Sequence, residues 1–326
     1  MEINIYKTYE IDDYLWNSIA DGFNQSFEAH PVTTNDLRLQ YRSNTYGYSF
    51  HAVCTDGEKV VGFNTIAPYI YKHNGENVLL GLSGSTFVIK EYRNDIFIFH
   101  DMYQALKAYC VKENMISFLG VPNENSYMYS IKFLKCKEIF TLSYYILPLN
   151  ISRIIGKKNI FLVNFTSKIY ALLVILLNGL AKTIWNSKER SVPYQISLEN
   201  SFHSSRLASN YYKNIIKKNI KIWYRVVDEN GIKTAYIMDF RQKDEKTLKA
   251  LWFAVWSIFW KEKADVIMYV GTMNLKQAIL TKVPAKFEPK RLPLTYNLLK
   301  INDPKIYKDI ENPKNWDFSL LNLDVK

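Results

Sequence analysis

Glycine, proline and cysteine are all scarce in this sequence, which contains 12 glycines, 10 prolines and 3 cysteines in 326 residues. No tract of serine, glutamine or like charge is long enough to prevent packing, so intrinsic disorder is not expected beyond the termini. With 48% apolar residues, the chain is long enough to fill one large or two medium hydrophobic cores.

The three cysteines, Cys54, Cys110 and Cys136, are an odd number without C-x-x-C spacing. This excludes a disulfide framework and a structural zinc site, and it favours a reducing compartment. The five histidines show no ligand spacing and no Gly-x-Ser-x-Gly motif occurs, so neither a metal site nor a serine hydrolase is predicted. Residues 1–14 are acidic and lack the features of a secretory signal, so we expect a cytoplasmic protein.

Positive charge is concentrated in the second half of the chain. The formal net charge is +11, to which residues 1–150 contribute −4, residues 151–190 +6 and residues 191–326 +9. This asymmetry suits an anionic partner, and nucleotide phosphates, an anionic membrane surface and RNA all qualify. A solvated, lysine-rich surface is the simpler interpretation.

The N-terminal part predicts a sheet followed by alternating helices and strands. Apolar and polar residues alternate on both sides of the Asp-Gly turn at residues 55–58, which predicts a β-hairpin. A second strand pair is predicted around residues 73–75, followed by a helix over 96–112, a short strand over 116–121 and a helix over 126–134.

Residues 151–190 combine a long apolar segment with basic flanks, and we predict a helix that connects two domains, residues 1–150 and 191–326. Lys168 and the Asn-Gly pair at 178–179 keep the uninterrupted apolar run below the roughly 18 residues that a spanning helix needs. A transmembrane span is therefore not predicted. The helix either packs between the domains or rests on an anionic leaflet, which basic flanks beside an apolar face favour.

The second half predicts the same order of elements as the first, so the predicted fold class is α+β with two tandem lobes. Each lobe is a mixed, mostly antiparallel sheet flanked by helices. The predicted elements are strands over 220–227 and 232–240, a helix over 245–261, a strand over 265–270, a helix over 274–282 and a strand over 290–301.

Five aromatic residues within the predicted helix over residues 245–261 recur at helical spacing. This pattern predicts a buried helix face, although a stacking platform for sugars or bases would use the same residues. The five are Trp252, Phe253, Trp256, Phe259 and Trp260.

Three stretches of the first lobe carry a family pattern, namely residues 60–63 (VVGF), 86–95 (TFVIKEYRND) and 118–126 (FLGVPNENS). They resemble the GNAT superfamily of N-acetyltransferases, in particular members found in bacterial surface-polysaccharide gene clusters. The resemblance covers residues 40–147 and, more weakly, 210–300. It implies two tandem GNAT-like lobes, of which the first holds an acyl-CoA site and the second is degenerate.

By this resemblance, the strand before Arg93 offers backbone groups to the pantetheine arm of coenzyme A. The loop that begins at Arg93 presents amide groups of a helix N-terminus to the pyrophosphate, and such an end binds anions. The family's loop glycines are missing here, and Asp95 adds a negative charge, so small residues do not assist a close approach to phosphate. The implied acyl-CoA ligands are Phe87, Val88, Arg93, Asn94, Asp95, Ile96 and Phe97.

Asparagine, tyrosine and aspartate residues are the candidate catalytic residues. Asn123 stands where the family has an Asn that orients the thioester or the acceptor, and it equally suits a helix cap. The family's acidic Tyr aligns nearest Ile131, so Tyr129 is a neighbouring candidate. Asp239 is a carboxylate that would take a proton from an attacking amine if it faces a cleft, as would Asp324.

The resemblance implies transfer of an acyl group from acetyl-CoA or another acyl-CoA to an amine, such as an amino sugar of a surface-glycan precursor. This chemistry relies mainly on positioning and needs few catalytic side chains. One alternative is aminoacyl transfer from tRNA, as in tandem Fem-type enzymes, which the basic second half supports. Another is a GNAT-like protein that only binds a glycan or a partner protein.

Overall fold

The computed structural model divides the chain into two compact units, each discontinuous in sequence. Unit 1 comprises Met1–Thr141, Pro193–Ala208 and Arg291–Trp316, and unit 2 comprises Leu142–Val192, Ser209–Lys290 and Asp317–Lys326. The structure describes residues 1–27, 31–156, 160–184, 187–198, 202–207, 209, 211–299 and 309–323, with the backbone alone at 182–184.

Unit 1 is a mixed sheet with helices, in which strands follow the order β1-β2-β3-β4-β5-β14-β6 and β8 adds to β3. Elements are numbered along the whole chain. The strands are β1 (Glu2–Lys7), β2 (Phe50–Asp56), β3 (Lys59–His73), β4 (Glu76–Val88), β5 (Ser117–Gly120), β6 (Lys137–Thr141), β8 (Tyr194–Ile196) and β14 (Pro293–Leu298). The helices are α1 (Asp13–Ser26), α2 (Thr34–Arg42), α3 (Phe97–Lys112), α4 (Glu124–Lys132) and α7 (Phe202–Arg206).

Unit 2 repeats this plan around a second sheet, ordered β13-β7-β12-β11-β10-β9. Its strands are β7 (Ser143–Pro148), β9 (Lys213–Lys217), β10 (Ile220–Glu229), β11 (Ile232–Gln242), β12 (Val266–Gly271) and β13 (Thr281–Lys282). Its helices are α5 (Ile151–Ile154), α6 (Phe161–Ile184) and α8 (Leu248–Lys261), and the short strand β15 (Trp316–Asp317) lies where unit 1 gives way to unit 2.

The predicted α+β class, with two mostly antiparallel sheets flanked by helices, is confirmed. The Asp-Gly signal forms the β2–β3 hairpin, and Gly57 adopts a left-handed φ of 59° there. The sequence-based division into 1–150, 151–190 and 191–326 follows chain order, whereas the compact units interleave. β7 joins the sheet of unit 2 beside β12, and β14 joins the sheet of unit 1 between β5 and β6.

The helix predicted over residues 274–282 is wrong. This segment is an irregular loop that ends in the short strand β13. The side-chain oxygen of Gln277 accepts hydrogen bonds from the amides of Ile279 and Leu280, both at 2.8 Å. A local side-chain bond of this kind competes with helical hydrogen bonding, and it lets Ile279 and Leu280 reach the core of unit 2.

The aromatic residues of α8 form its buried face only in part, since four of the five are partly buried against the core of unit 2, namely Trp252, Phe253, Trp256 and Phe259. The fully buried stripe of α8 is aliphatic and includes Leu251, Val255 and Ile258. Trp252 and Trp256 are half-buried and stacked at 5.5 Å, and Trp260 is 61% exposed. The larger rings therefore flank the core of unit 2 and reach solvent.

The apolar segment of residues 151–190 forms α6, a 24-residue helix that belongs to unit 2 and contacts α5, α8 and β7. Lys168 and Gly179 do not interrupt it. By length and composition, Phe161–Ala181 is sufficient to cross a membrane. Its most apolar 18 residues have a mean hydropathy of 1.7, and only 17% of them are buried inside the protein. The sequence-based rejection of a spanning length is therefore corrected.

His51, at the centre of unit 1, makes stability depend on pH. It is fully buried between the hydroxyls of Thr8 and Thr65, and burial lowers its pKa from 6.5 to about 3. Between pH 3 and pH 6.5, His51 is protonated in the unfolded chain and neutral in the folded chain. The contribution of His51 to the free energy of unfolding is therefore constant above pH 6.5 and decreases as the pH falls toward 3.

We expect the free energy of unfolding to fall by up to roughly 1.4 kcal/mol per pH unit below 6.5 on account of His51 alone. Urea unfolding at pH 7.5 and 5.5 measures this slope, and His51→Gln should reduce it by that amount. Equal slopes in the wild type and the variant would contradict the assignment.

Candidate active site

The most distinctive feature of unit 1 is that β4 and β5 begin side by side and then separate. They pair in parallel only where Leu80, Gly81 and Leu82 lie beside β5. Residues 83–88 of β4 continue along β3 without a pairing to β5. The β3–β4 register also shifts between Asn64 and Ile66, and such a bulge increases the local twist. Beyond Leu82, one edge of β4 is therefore without a strand partner in the part of the chain that the structure describes.

Small and polar side chains occupy this part of β4, which has no pairing with β5. Ser83, Gly84, Ser85 and Thr86 are all partly exposed, in contrast to the buried residues before them. A Cβ at Gly84 would lie 2.8 Å from the Cγ2 of Thr65, so only glycine fits the bulge without displacing β3. The backbone at this edge is thus accessible to a ligand.

Asn64 places an unsatisfied donor beside the bulge. Its side-chain oxygen accepts a hydrogen bond from the Thr86 hydroxyl at 2.9 Å. Its amide nitrogen is completely buried and has no hydrogen-bond partner among the described residues. A buried donor left unsatisfied costs about 1–3 kcal/mol, so Asn64 is a locally unfavourable feature beside the bulge.

The N-terminus of α3 follows β4 through a 3-10 turn at Lys90–Tyr92. Arg93 folds back so that its Nε donates to the carbonyl oxygen of Val88 at 2.8 Å. The carboxylate of Asp95 accepts a hydrogen bond from the amide of Phe97, the first residue of α3, at 2.9 Å. A protein carboxylate thus already occupies part of this anion-attracting helix end.

The remaining predicted acyl-CoA ligands divide into core and surface. Phe87 is a core residue, because its ring lies 4.8 Å from that of Phe23 and 5.9 Å from that of Phe63. The side chains of Asn94, Ile96 and Phe97 are exposed. For Phe87 and Val88, only backbone groups remain as candidate ligands, and Val88 already uses its carbonyl oxygen with Arg93.

Asn123 and Tyr129 each make a structural contact. Asn123 caps α4, since its side-chain oxygen accepts from the amide of Ser126 at 2.9 Å. The Tyr129 hydroxyl donates to the carbonyl oxygen of Ile96 at 2.7 Å, which joins α4 to the start of α3. Burial raises the pKa of Tyr129, so its hydroxyl remains protonated at neutral pH.

Unit 2 contains the same strand arrangement. β11 is parallel to β12 only over Thr234–Tyr236, and its pairing with β10 shifts register at Trp223. Here the chain itself fills the divergence. The carbonyl oxygen of Ser187 accepts a hydrogen bond from the amide of Leu248, the first residue of α8, at 3.0 Å. The carbonyl oxygen of Phe318 accepts one from the amide of Thr272 at 2.8 Å.

Asp239 lies inside this filled region rather than in an open cleft. It is fully buried, and its carboxylate accepts from Arg241 Nε at 2.8 Å and from the amide of Phe240 at 3.0 Å. The structure therefore gives Asp239 no access to an amine from solvent. Asp324 lies outside the described residues.

A buried ion cluster continues from Asp239 and was not foreseen from the sequence. Lys246 contacts Asp317 at 2.5 Å and Glu189 at 3.8 Å. Burial lowers the pKa of Lys246, but these two carboxylates raise it more, so the ammonium stays charged. Burial raises the pKa of Glu189 to about 7.

No group of three or more His, Cys, Asp or Glu residues is arranged to hold a metal ion in the part of the chain that the structure describes.

A strand pair, a crossover helix and a parallel strand that diverges from the pair define the N-acetyltransferase fold of the GNAT type, present here in tandem. No protein-family model matches the chain, and no curated protein matches it by sequence. Solved structures do match.

A protein from Enterococcus faecalis described as a probable N-acyltransferase is 12% identical to this chain, with a TM-score of 0.58. The match covers 95% of this chain and 75% of that protein. N-acetyltransferases related to GCN5 from Anabaena variabilis and Kribbella flavida are each 10% identical with a TM-score of 0.56. Each match covers 91% of this chain, and 74% and 71% of the respective neighbour. At these identities the likeness establishes the fold.

The ion cluster should be essential for the stability of unit 2. Lys246→Met leaves the carboxylates of Asp317 and Glu189 buried without their cation, and we expect a loss of about 3–5 kcal/mol in the free energy of unfolding. Chemical denaturation measures this loss. Lys188→Met is the matched control, because the ion pair of Lys188 with Glu245 is exposed and should leave stability nearly unchanged. Similar stabilities for the two variants would refute the role of the cluster.

Proposed function

We propose that this chain is an N-acyltransferase that moves an acyl group, acetyl in the first instance, from its coenzyme A thioester to an amine. The observation that carries the proposal is the divergence of β4 from β5 beside the N-terminus of α3 in unit 1. The same fold occurs in the N-acyltransferase and N-acetyltransferases matched above.

In this proposal, the backbone edge of residues 83–88 binds the pantetheine arm by adding hydrogen bonds to β4. Asn64, which lies next to the bulge, accepts a hydrogen bond from Thr86 and so fixes this edge of β4. Amides fixed beforehand stabilise negative charge that develops on a carbonyl oxygen, because they need no reorganisation during the reaction.

Arg93 and the first amides of α3 face the diphosphate in this arrangement. For this purpose the Arg93 guanidinium has to leave the carbonyl oxygen of Val88, and Asp95 opposes the anion at close range. The positive charge of Arg93, which follows the turn at Lys90–Tyr92, partly offsets the loss of the loop glycines in binding the diphosphate.

The reaction forms a bond between the amine nitrogen and the acyl carbon and breaks the bond between that carbon and sulfur. The amine loses one proton to solvent, and the departing thiolate takes one up. Tyr129 is the proposed donor to the thiolate, because its hydroxyl is protonated at neutral pH, and solvent then returns a proton to its phenolate. Asn123 is proposed to orient the reactants from the cap of α4.

We propose an amino sugar of a surface-glycan precursor as the acceptor, on the strength of the resemblance of residues 86–95 and 118–126 to polysaccharide-cluster enzymes. Unit 2 has no comparable opening in its described part, because its divergence holds the ion cluster and Phe318. The activity is therefore proposed for unit 1 alone.

Millimolar coenzyme A should raise the melting temperature of the wild-type protein, because a ligand that binds only the folded state stabilises it by mass action. Arg93→Ala should reduce this shift.

Thermal unfolding with and without coenzyme A measures both effects, and Lys132→Ala, on the exposed end of α4, serves as a control that keeps the full shift. If coenzyme A does not stabilise the wild-type protein, the proposal is overturned. The alternative that then remains is a protein that only binds a glycan or a partner protein. Release of free thiol from acetyl-CoA in the presence of amino sugars then identifies the acceptor.

A further inference from the structure

The side of α6 that faces away from the core of unit 2 is covered with exposed large apolar residues. Leu162 is 71% exposed and Phe161 77%, and no acidic residue occurs in the helix. Side chains of this size are rarely exposed in a continuous stripe on a soluble protein. We call this stripe the outer face of α6, and it consists of Phe161, Leu162, Phe165, Ile169, Tyr170, Leu173, Leu176, Leu177 and Leu180.

The opposite side of α6 is the more polar one. Asn164 and Ser167 point inward, where the Ser167 hydroxyl donates to the carbonyl oxygen of Leu149 at 3.2 Å. Ala171 and Ile175 complete the buried stripe. A surface helix of a soluble protein has the reverse pattern, with its apolar face toward the core. The sequence of α6 is therefore matched to an apolar medium outside the protein.

Lys168 is the charged residue of α6 whose side chain the structure describes. At 3.6 residues per turn, it falls between the buried stripe and the outer face, whereas Ile169, Leu173 and Leu176 lie at the centre of the outer face, next to the exposed Thr166. Lysines in this position extend their ammonium groups toward lipid headgroups while their stems remain on apolar surface. Residues 151–190 together carry a net charge of +6, which suits anionic lipid.

Aromatic residues of α8 stand beside α6 on the same unit. Trp252 Nε1 donates to the carbonyl oxygen of Ile175 at 2.8 Å, and the stack of Trp252 and Trp256 leads to the exposed ring of Trp260. Tryptophan prefers the boundary between headgroups and acyl chains.

We propose that the outer face of α6 lies in the surface of an anionic lipid bilayer, with the helix axis parallel to the membrane plane. Its length permits spanning, but the buried stripe is bonded to α8 and to the end of β7 along the helix, so lipid cannot surround it. A second copy fits less well, because two such faces would bring like charges together. This proposal is independent of the activity proposed for unit 1.

Co-sedimentation of the full chain with vesicles tests the proposal. We expect binding to vesicles of 70% phosphatidylcholine and 30% phosphatidylglycerol, and roughly fivefold weaker binding for Lys168→Gln on these vesicles. The triple variant Leu162→Ser, Leu173→Ser and Leu176→Ser should bind roughly a hundredfold more weakly or not at all.

The control is a triple variant that changes equally exposed apolar residues elsewhere, Tyr14→Ser, Leu39→Ser and Phe287→Ser, and it should bind as the wild type does. Circular dichroism confirms that each variant is folded. Release of the wild type from vesicles by alkaline carbonate supports an in-plane helix, and resistance to carbonate overturns that orientation.

Failure of the wild type to bind either anionic or neutral vesicles would overturn the proposal. So would equal losses in the two triple variants. A dimer in light scattering that dissociates only in the leucine variant would assign the outer face of α6 to a second copy of the chain instead.

Discussion

Both units depend on a parallel pairing of two strands that lasts for only three residues in each. Parallel neighbours require a crossover, and a helix is the compact way to make it, so α3 and α8 each begin near the point where their strands separate. A helix N-terminus, a strand edge without a parallel neighbour and a bulge then coincide in the described part of each unit. Sequence motifs for such an arrangement are weak because it consists mostly of backbone groups.

The two units use this divergence in opposite ways. In unit 1 the edge of β4 carries small, partly exposed residues, and the buried amide of Asn64 lacks a partner within the described chain. In unit 2 the equivalent space holds Lys246, Asp239 and Asp317, with the backbone of Ser187 at the helix end. Buried charges that satisfy one another exclude ligands from this part of unit 2.

Local features were predictable from the sequence, and long-range ones were not. The β2–β3 hairpin, α3 and the β10–β11 pair were foreseen because turn residues and apolar periodicity act over a few positions. The places of β7 and β14 in their sheets were not, because alternation within a strand does not identify its neighbours. In the site, Arg93 and Tyr129 were named in advance, but their hydrogen bonds to the carbonyl oxygens of Val88 and Ile96 emerged only from the fold. The ion cluster joins residues up to 128 positions apart, from Glu189 to Asp317, and no spacing rule connects them.

The insertion of β14 between β5 and β6 also determines when unit 1 can be completed. Its Thr295 hydroxyl bonds to the carbonyl oxygen of Gly120, a separation of 175 residues. At synthesis rates of about 5–20 residues per second, roughly 10–35 s pass between the emergence of β5 and that of β14 from the ribosome. During that time the edges of β5 and β6 that later pair with β14 are open, and open edges readily pair with other chains. Until β14 is synthesised, unit 1 is therefore prone to aggregate through these strand edges. A chaperone has a physical reason to bind them during this interval.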